Sequence, residues 1–135
     1  MTAKEILQKY RKIAVVGLSS DPGRASHGVS QYMQNSGYEI TPVNPNEVAV
    51  FGKRAYASLD EVPAPIEIVD VFRRPEFVPD IVEAAIRRNA KVIWMQLGVI
   101  HEAAAQRARE AGLDVEMDLC ILQEHMKHFG FGKKV

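Results

Sequence analysis

The sequence predicts an α/β fold with an open, mostly parallel five-stranded sheet and helices on both faces. Three observations carry that reading. Short β-branched runs alternate with longer segments of helical period, the chain order of strand–helix–strand units. The runs are mostly apolar, as expected of strands covered on both faces. The length, 135 residues, suits one domain spanning 1–135 with a real core, and leaves no room for a separate catalytic domain.

In order along the chain, Leu7 and Tyr10 mark a short N-terminal helix, and residues 13–17 form the first strand. Val29, Tyr32, Met33 and Ser36 fall on one helical stripe, closed by Gly37 as a C-terminal cap. The second strand is 38–43 and the third 67–72. Val78, Ile81, Val82, Ala85 and Ile86 form a cleaner stripe, in which Pro79 is tolerable because it lies in the opening turn. Residues 91–95 are the fourth strand, the Ala-rich 102–111 ended by Gly112 a helix, and 114–117 the fifth strand. Leu119, Leu122 and Met126 mark a C-terminal helix. Right-handed crossovers wind this order into a Rossmann-like sheet, expected to have its first strand central. Ligands of such sheets bind beyond the carboxyl ends of the strands, where strand order reverses. The places to search therefore follow Gly17, Val43, Phe72 and Met95.

Composition narrows the partners. Lysine plus arginine equals aspartate plus glutamate, 17 each, so no overall positive field exists to hold a nucleic acid. Any anion site must be local. The single cysteine, Cys120, rules out an internal disulfide framework. The start lacks a signal-peptide pattern and no run of roughly 18 apolar residues occurs, so the expected location is the cytoplasm, with no membrane partner.

After the first strand, Gly17-Leu18-Ser19-Ser20-Asp21-Pro22-Gly23-Arg24-Ala25-Ser26-His27-Gly28 is a loop of small and polar residues opening a helix. Its backbone N–H groups and the helix dipole make a site for an anion, most naturally a phosphate. Gly17 allows close approach, Gly23 permits a turn and Arg24 adds charge. The plainer alternative is a strand-to-helix loop capped by Ser26, without a ligand. The dinucleotide fingerprint G-x-G-x-x-G is absent, since Leu18-Ser19 stands where its second glycine belongs. The second strand ends Thr41-Pro42-Val43-Asn44-Pro45-Asn46, with no carboxylate for the ribose of NAD. No Gly-Lys-Ser/Thr follows the loop, so it is not a Walker loop.

Four segments in order, Gly17-Leu18-Ser19-Ser20, Val43-Asn44-Pro45, Val71-Phe72-Arg73-Arg74-Pro75-Glu76 and Ile93-Trp94-Met95-Gln96-Leu97-Gly98, resemble the stand-alone CoA-binding proteins of bacteria and archaea. They are similar to the N-terminal CoA-binding domain of the succinyl-CoA synthetase alpha subunit. The likeness runs from about Lys12 to about Glu124. It implies a coenzyme A (CoA or acyl-CoA) whose phosphates lie over the first loop at Ser19, Ser20 and Arg24, with Gly17 and Ser26 also among the cofactor-binding residues and the adenine end near Val43, Asn44 and Pro45. Phe72, Arg73 and Arg74 would line the side of the cleft, and Gln96, Leu97 and Gly98 would approach the pantetheine arm. The synthetase subunit has a lysine soon after its second strand, whereas Lys53 comes later here. Arg24, Lys53 and Arg54 are thus alternatives for the 3′-phosphate. Independently of the likeness, CoA needs more than one positive patch, and arginine suits bidentate phosphate contacts. Arg73 and Arg74 supply a second patch, or are simply a solvated basic pair.

No catalytic residue is expected. The synthetase's phosphohistidine belongs to a second domain, and His27, His101, His125 and His128 accompany no nucleophile-and-base arrangement. His27 is a ligand contact or a polar helix-start residue. Cys120 and His125 would sit about 140° apart on a helix, a poor spacing for zinc, so no metal is expected. Cys120 reads as a buried small hydrophobe, although exchange with a CoA thiol is a chemistry open to it. Trp94 reads as core or cleft wall, and the basic, aromatic tail 127–134 as a frayed terminus. The expectation is a binding module without catalysis of its own. The alternatives are a CoA-ligase subunit needing a partner, or an atypical NAD(P)-dependent oxidoreductase. No residue argues for a particular oligomeric state.

Overall fold

The computed structural model describes all residues, 1–135. Five parallel strands, β1 (Lys12–Val16), β2 (Glu39–Val43), β5 (Ile68–Val71), β6 (Val92–Met95) and β7 (Asp114–Glu116), form one sheet in the order β2-β1-β5-β6-β7. Alternate residues of these apolar strands serve opposite faces. Ile13, Val15, Ile68, Val92 and Trp94 pack under α1 (Ala3–Lys9), α2 (Ala25–Asn35) and α5 (Ile121–Phe129), meeting Ile6, Leu7, Met33 and Ile121. Ala14, Val16, Val69, Val71, Ile93 and Met95 pack under α3 (Val78–Arg87) and α4 (Glu102–Glu110), meeting Val82, Ala85, Ala104 and Ala108. The α/β architecture and its five strands are those the sequence predicts.

The first strand is not central. It lies one place in from the β2 edge, because after β2 the chain makes no second crossover on that side. It turns instead into an antiparallel hairpin, β3 (Ala49–Val50) and β4 (Lys53–Arg54). From β1 the chain winds outward to β2 through α2, then returns to β5 and winds the other way through α3 and α4 on the opposite face, as crossovers of one hand require. Strand order therefore reverses between β1 and β5.

Helix ends follow local chemistry. Thr2 and Glu5 make a reciprocal capping box on α1, Gly37 follows the C-cap of α2 at φ +99°, and Pro79 sits in the first turn of α3. The inward face of α5 is Ile121 and His125, not Leu122 and Met126; Met126 points outward, 38% exposed. The tail is docked, not frayed. Gly132 N–H donates to the Tyr32 hydroxyl at 2.9 Å and Arg11 donates to the Val135 carbonyl at 2.7 Å. Trp94 is core, wholly buried, with its indole N–H donating to the Leu119 carbonyl at 2.9 Å.

Candidate functional site

The carboxyl ends of β1 and β5 open onto a cleft at the switch point. Gly17 ends β1 at φ +94°, and a Cβ there would lie 2.4 Å from the Phe72 carbonyl oxygen. Only glycine lets the two strand exits run so close. Beyond them lies a cavity of about 460 Å³ lined by Gly17, Ser19, Arg24, Ala25, Ser26, Asn44, Asn46, Glu47 and Phe72. It shares Ala25 and Phe72 with a more apolar cavity of about 430 Å³, whose wall includes Val29, Arg73, Arg74, Gln96, Leu97 and Cys120. Arg73 in turn borders a third, of about 280 Å³, with Val43, Pro45, Asp80 and Arg87. The three adjoin through these shared wall residues and together make up a groove across the strand ends. A separate cavity of about 230 Å³, with Lys12, Glu39 and Pro65 in its wall, lies at the opposite end of the sheet.

Most of the loop's amides are already engaged. Ser19 N–H donates to Ser26 Oγ at 3.0 Å, Asp21 N–H to Ser19 Oγ at 3.0 Å, and Gly23 N–H to Asp21 Oδ1 at 2.9 Å. Ser20 donates both its N–H, at 2.8 Å, and its hydroxyl, at 3.0 Å, to Glu47 Oε2. The free donors are one turn further on. Arg24 is the N-cap residue of α2 and provides no side-chain cap, which leaves the Ala25 and Ser26 N–H groups unpartnered. Ser26 is thus not the cap: it lies inside the helix, buried, and braces the loop through Ser19. Arg24 is exposed and makes no ion pair.

Asn44 ties the second strand's exit to the first loop, its Nδ2 donating to the Leu18 carbonyl at 3.1 Å while its Oδ1 accepts from Asn46 N–H. Val43 is buried in the core and only floors the third cavity, whose rim holds Pro45. Phe72 is half-buried between two cavities. Arg73 stacks on Phe77, its guanidinium 4.2 Å from the ring centroid, and exposed Arg74 pairs with Glu76 at 3.3 Å. Buried Gln96 is held by Ile121 N–H donating to its Oε1 at 2.8 Å, and its Nε2 lies 4.0 Å from Cys120 Sγ. Leu97 is 57% exposed at the mouth, and Gly98 N–H donates to Asp118.

Every residue of the sequence-derived set thus lies at the strand ends, but two cations do not reach the cleft. Lys53 Nζ donates to the Ile40 carbonyl at 3.1 Å and Arg54 stacks on Tyr56, both along the β2 edge. Sequence reasoning missed Ala25, Asn46 and Glu47. The run Asn44 to Glu47 after the second strand was the one signal for Asn46 and Glu47, and Ala25 lay within the loop 17–28 without being singled out. It missed Asp70 too, a wholly buried carboxyl two residues before Phe72, whose Oδ1 has no hydrogen-bond partner. Burial holds that group well above the ordinary carboxylate range.

The histidines lie apart. His27 packs on Phe51 with ring centroids 4.7 Å apart, and His101 caps α4 by accepting Ala104 N–H at its Nδ1. Buried His125 meets the Tyr32 hydroxyl at 2.9 Å, and His128 meets Glu124 at 3.5 Å. Cys120 lines the cleft away from them, and no group of three or more Cys, His, Asp or Glu gathers to hold a metal. No helix is long and apolar enough to cross a membrane.

With the cleft described, known proteins can be set beside it. The profile of the CoA binding domain family matches residues 11–126. The chain belongs to that family. It is 50% identical to the protein YneT of Bacillus subtilis (strain 168) over 122 residues, 90% of each chain. A solved structure of a hypothetical protein from Pyrococcus horikoshii OT3 superposes with a TM-score of 0.91 at 38% identity, covering 96% of this chain and 94% of that one. The alpha subunit of acetate–CoA ligase (ADP-forming) II from Pyrococcus furiosus is 33% identical over 101 residues, 74% of this chain. This chain spans only 22% of that subunit's length. The CoA-binding domain thus has relatives both as small chains and as one part of a ligase subunit.

Proposed function

We propose that this CoA-binding domain, spanning 1–135 as a single cytoplasmic module, binds coenzyme A or an acyl-CoA along the groove and performs no catalysis of its own. One observation carries the reading. A helix start with two free N–H groups and an unpaired arginine opens directly into an apolar channel at the switch point. A phosphate fits the first part, through oriented amides and a local positive charge. The pantetheine arm fits the second, beside Gln96, Leu97 and Gly98, with Arg73 and Arg74 on its flank. The adenosine end lies toward Pro45 over Val43. With Lys53 and Arg54 turned away, Arg73 and Arg87 at the third cavity and Arg24 at the first are the cations the groove offers the 3′-phosphate.

The test is thermal unfolding against ligand concentration. CoA should raise the midpoint in proportion to the logarithm of its concentration, dephospho-CoA should bind more weakly, and NAD should do little. Equal stabilisation by NAD and CoA would overturn the assignment. The ligase relatives favour a second reading, a CoA-handling subunit completed by a partner. That reading requires acyl-CoA to form only when a co-purifying nucleotide-dependent subunit is added.

A further inference from the structure

Among the loop amides that donate to side-chain acceptors, Ser20 is the exception: its acceptor comes from a different segment. The carboxylate of Glu47, from the connection between β2 and β3, accepts both the Ser20 N–H and the Ser20 hydroxyl through a single oxygen, Oε2. Those two hydrogen bonds, the amide's first, hold the Glu47 carboxyl below the ordinary carboxylate range. Glu47 lines the same cavity as Arg24 and the first turn of α2, yet Arg24 forms no ion pair with it. An uncompensated carboxylate therefore stands in the cavity where the start of α2 would receive a phosphate, on the loop donors beside it.

We propose that Glu47 is a resident anion of this site: it occupies the Ser20 donors when the groove is empty, and ligand phosphate displaces it. Glu47 thereby sets the affinity of the groove for phosphate-bearing ligands. This rests on the CoA reading for its natural ligand, though not for its chemistry. A phosphate oxygen accepting the Ser20 N–H would lie within a few ångströms of the carboxylate, and two anions so placed repel strongly. Displacement costs the same two hydrogen bonds whichever phosphate arrives, so it lowers all such affinities by one factor. Weakly held anions then fall below useful occupancy, and a ligand anchored along the whole groove does not.

The connection is built to allow this. Asn44 fixes its start on the Leu18 carbonyl. Beyond it, the β3–β4 hairpin is held against α2 by the contact of Phe51 with His27. Between those anchors Glu47 alone reaches the loop, and its neighbour Val48 is 88% exposed. A rotamer change at Glu47 frees Ser20 without disturbing either anchor.

Glu47→Gln tests the idea, because glutamine keeps an acceptor that can brace the loop while losing the charge. Calorimetric titration should show both CoA and inorganic pyrophosphate binding the variant about two- to fivefold more tightly than the unmodified chain, a range set by a partly screened charge. Unchanged or weaker pyrophosphate binding overturns the proposal. If neither protein binds CoA but the variant binds pyrophosphate more tightly, the CoA reading falls and the resident anion stands. Amide NMR supplies a second readout. In the empty protein the Ser20 amide shift should follow the titration of Glu47, with Asp21, Arg24 and His27 the other ionisable groups nearby. At saturating CoA or pyrophosphate that dependence should vanish. Its persistence with ligand bound overturns displacement.

Discussion

Gly17 was legible as the point of close backbone approach, and the distance now gives the reason: its Cα faces the Phe72 carbonyl. Gly17→Ala combines a left-handed backbone, which costs about 1–2 kcal/mol in an L residue, with a contact that forces β1 and β5 apart, for roughly 1–3 kcal/mol more. A drop of about 3 kcal/mol in urea-unfolding stability is expected, with CoA binding weakened in the protein that remains folded. A change under about 0.5 kcal/mol would show that the strand exits can yield. Ser26 was less legible. A serine near a helix start reads as a cap, yet here the N-cap is Arg24, two residues earlier, and the hydroxyl serves Ser19 instead. The run 44–47 hinted at Glu47 but not at its role, which depends on a contact 27 residues away that no local pattern encodes.

At the scale of elements, apolar runs placed the strands within a residue or two, since burial on both faces leaves few alternatives. The hairpin β3–β4 escaped for a physical reason. Its strands are two residues each, and of the two turn residues at positive φ, Phe51 at +57° and Gly52 at +71°, only the second signals a bend. The face of α5 escaped because a polar residue, His125, occupies the buried stripe while apolar Met126 faces outward. Long-range bracing escaped as well. Arg88, the C-cap residue of α3, donates to the carbonyls of Leu59 and Asp60 through Nη1, at 2.8 and 2.7 Å, and to that of Val62 through Nη2 at 2.6 Å. It thereby pins the short 3-10 turn Leu59–Glu61, a wall of the cavity near Pro45. Arg88→Ala leaves the Asp60 and Val62 carbonyls without their donor, while that of Leu59 keeps the Val62 N–H at 3.2 Å, at a cost of about 1–3 kcal/mol. The unfolding midpoint should fall accordingly. CoA should lose affinity while dephospho-CoA and CoA keep their ratio, because the wall, not a phosphate contact, has moved. A changed ratio would instead place Arg88 in the phosphate site.

Over the whole molecule, burial acts on several ionisable groups at once, always toward the neutral form. It raises Asp70 well above its ordinary value, pushes Tyr38 up to about 12 and lowers His125. The consequences for stability have opposite signs. His125 takes up a proton more readily unfolded than folded, so its contribution is lost as pH falls through the imidazole range. Asp70 keeps its proton in the folded protein at pH values where the unfolded chain has released it. Its contribution is complete below the ordinary carboxylate value and is lost as pH rises from there to its folded value. Asp70→Asn is neutral at every pH and removes only the second effect, while the His125 term is common to both proteins and cancels in the difference. Urea midpoints from pH 4 to 8.5 should therefore diverge. The variant's advantage should grow by about 1.4 kcal/mol per pH unit until Asp70 ionises in the folded chain, and level off above. A difference that stays constant over that range would mean Asp70 titrates alike in both states, and the central strand β5 would then hold its carboxyl in a wetter place than its burial between Val15 and Trp94 describes.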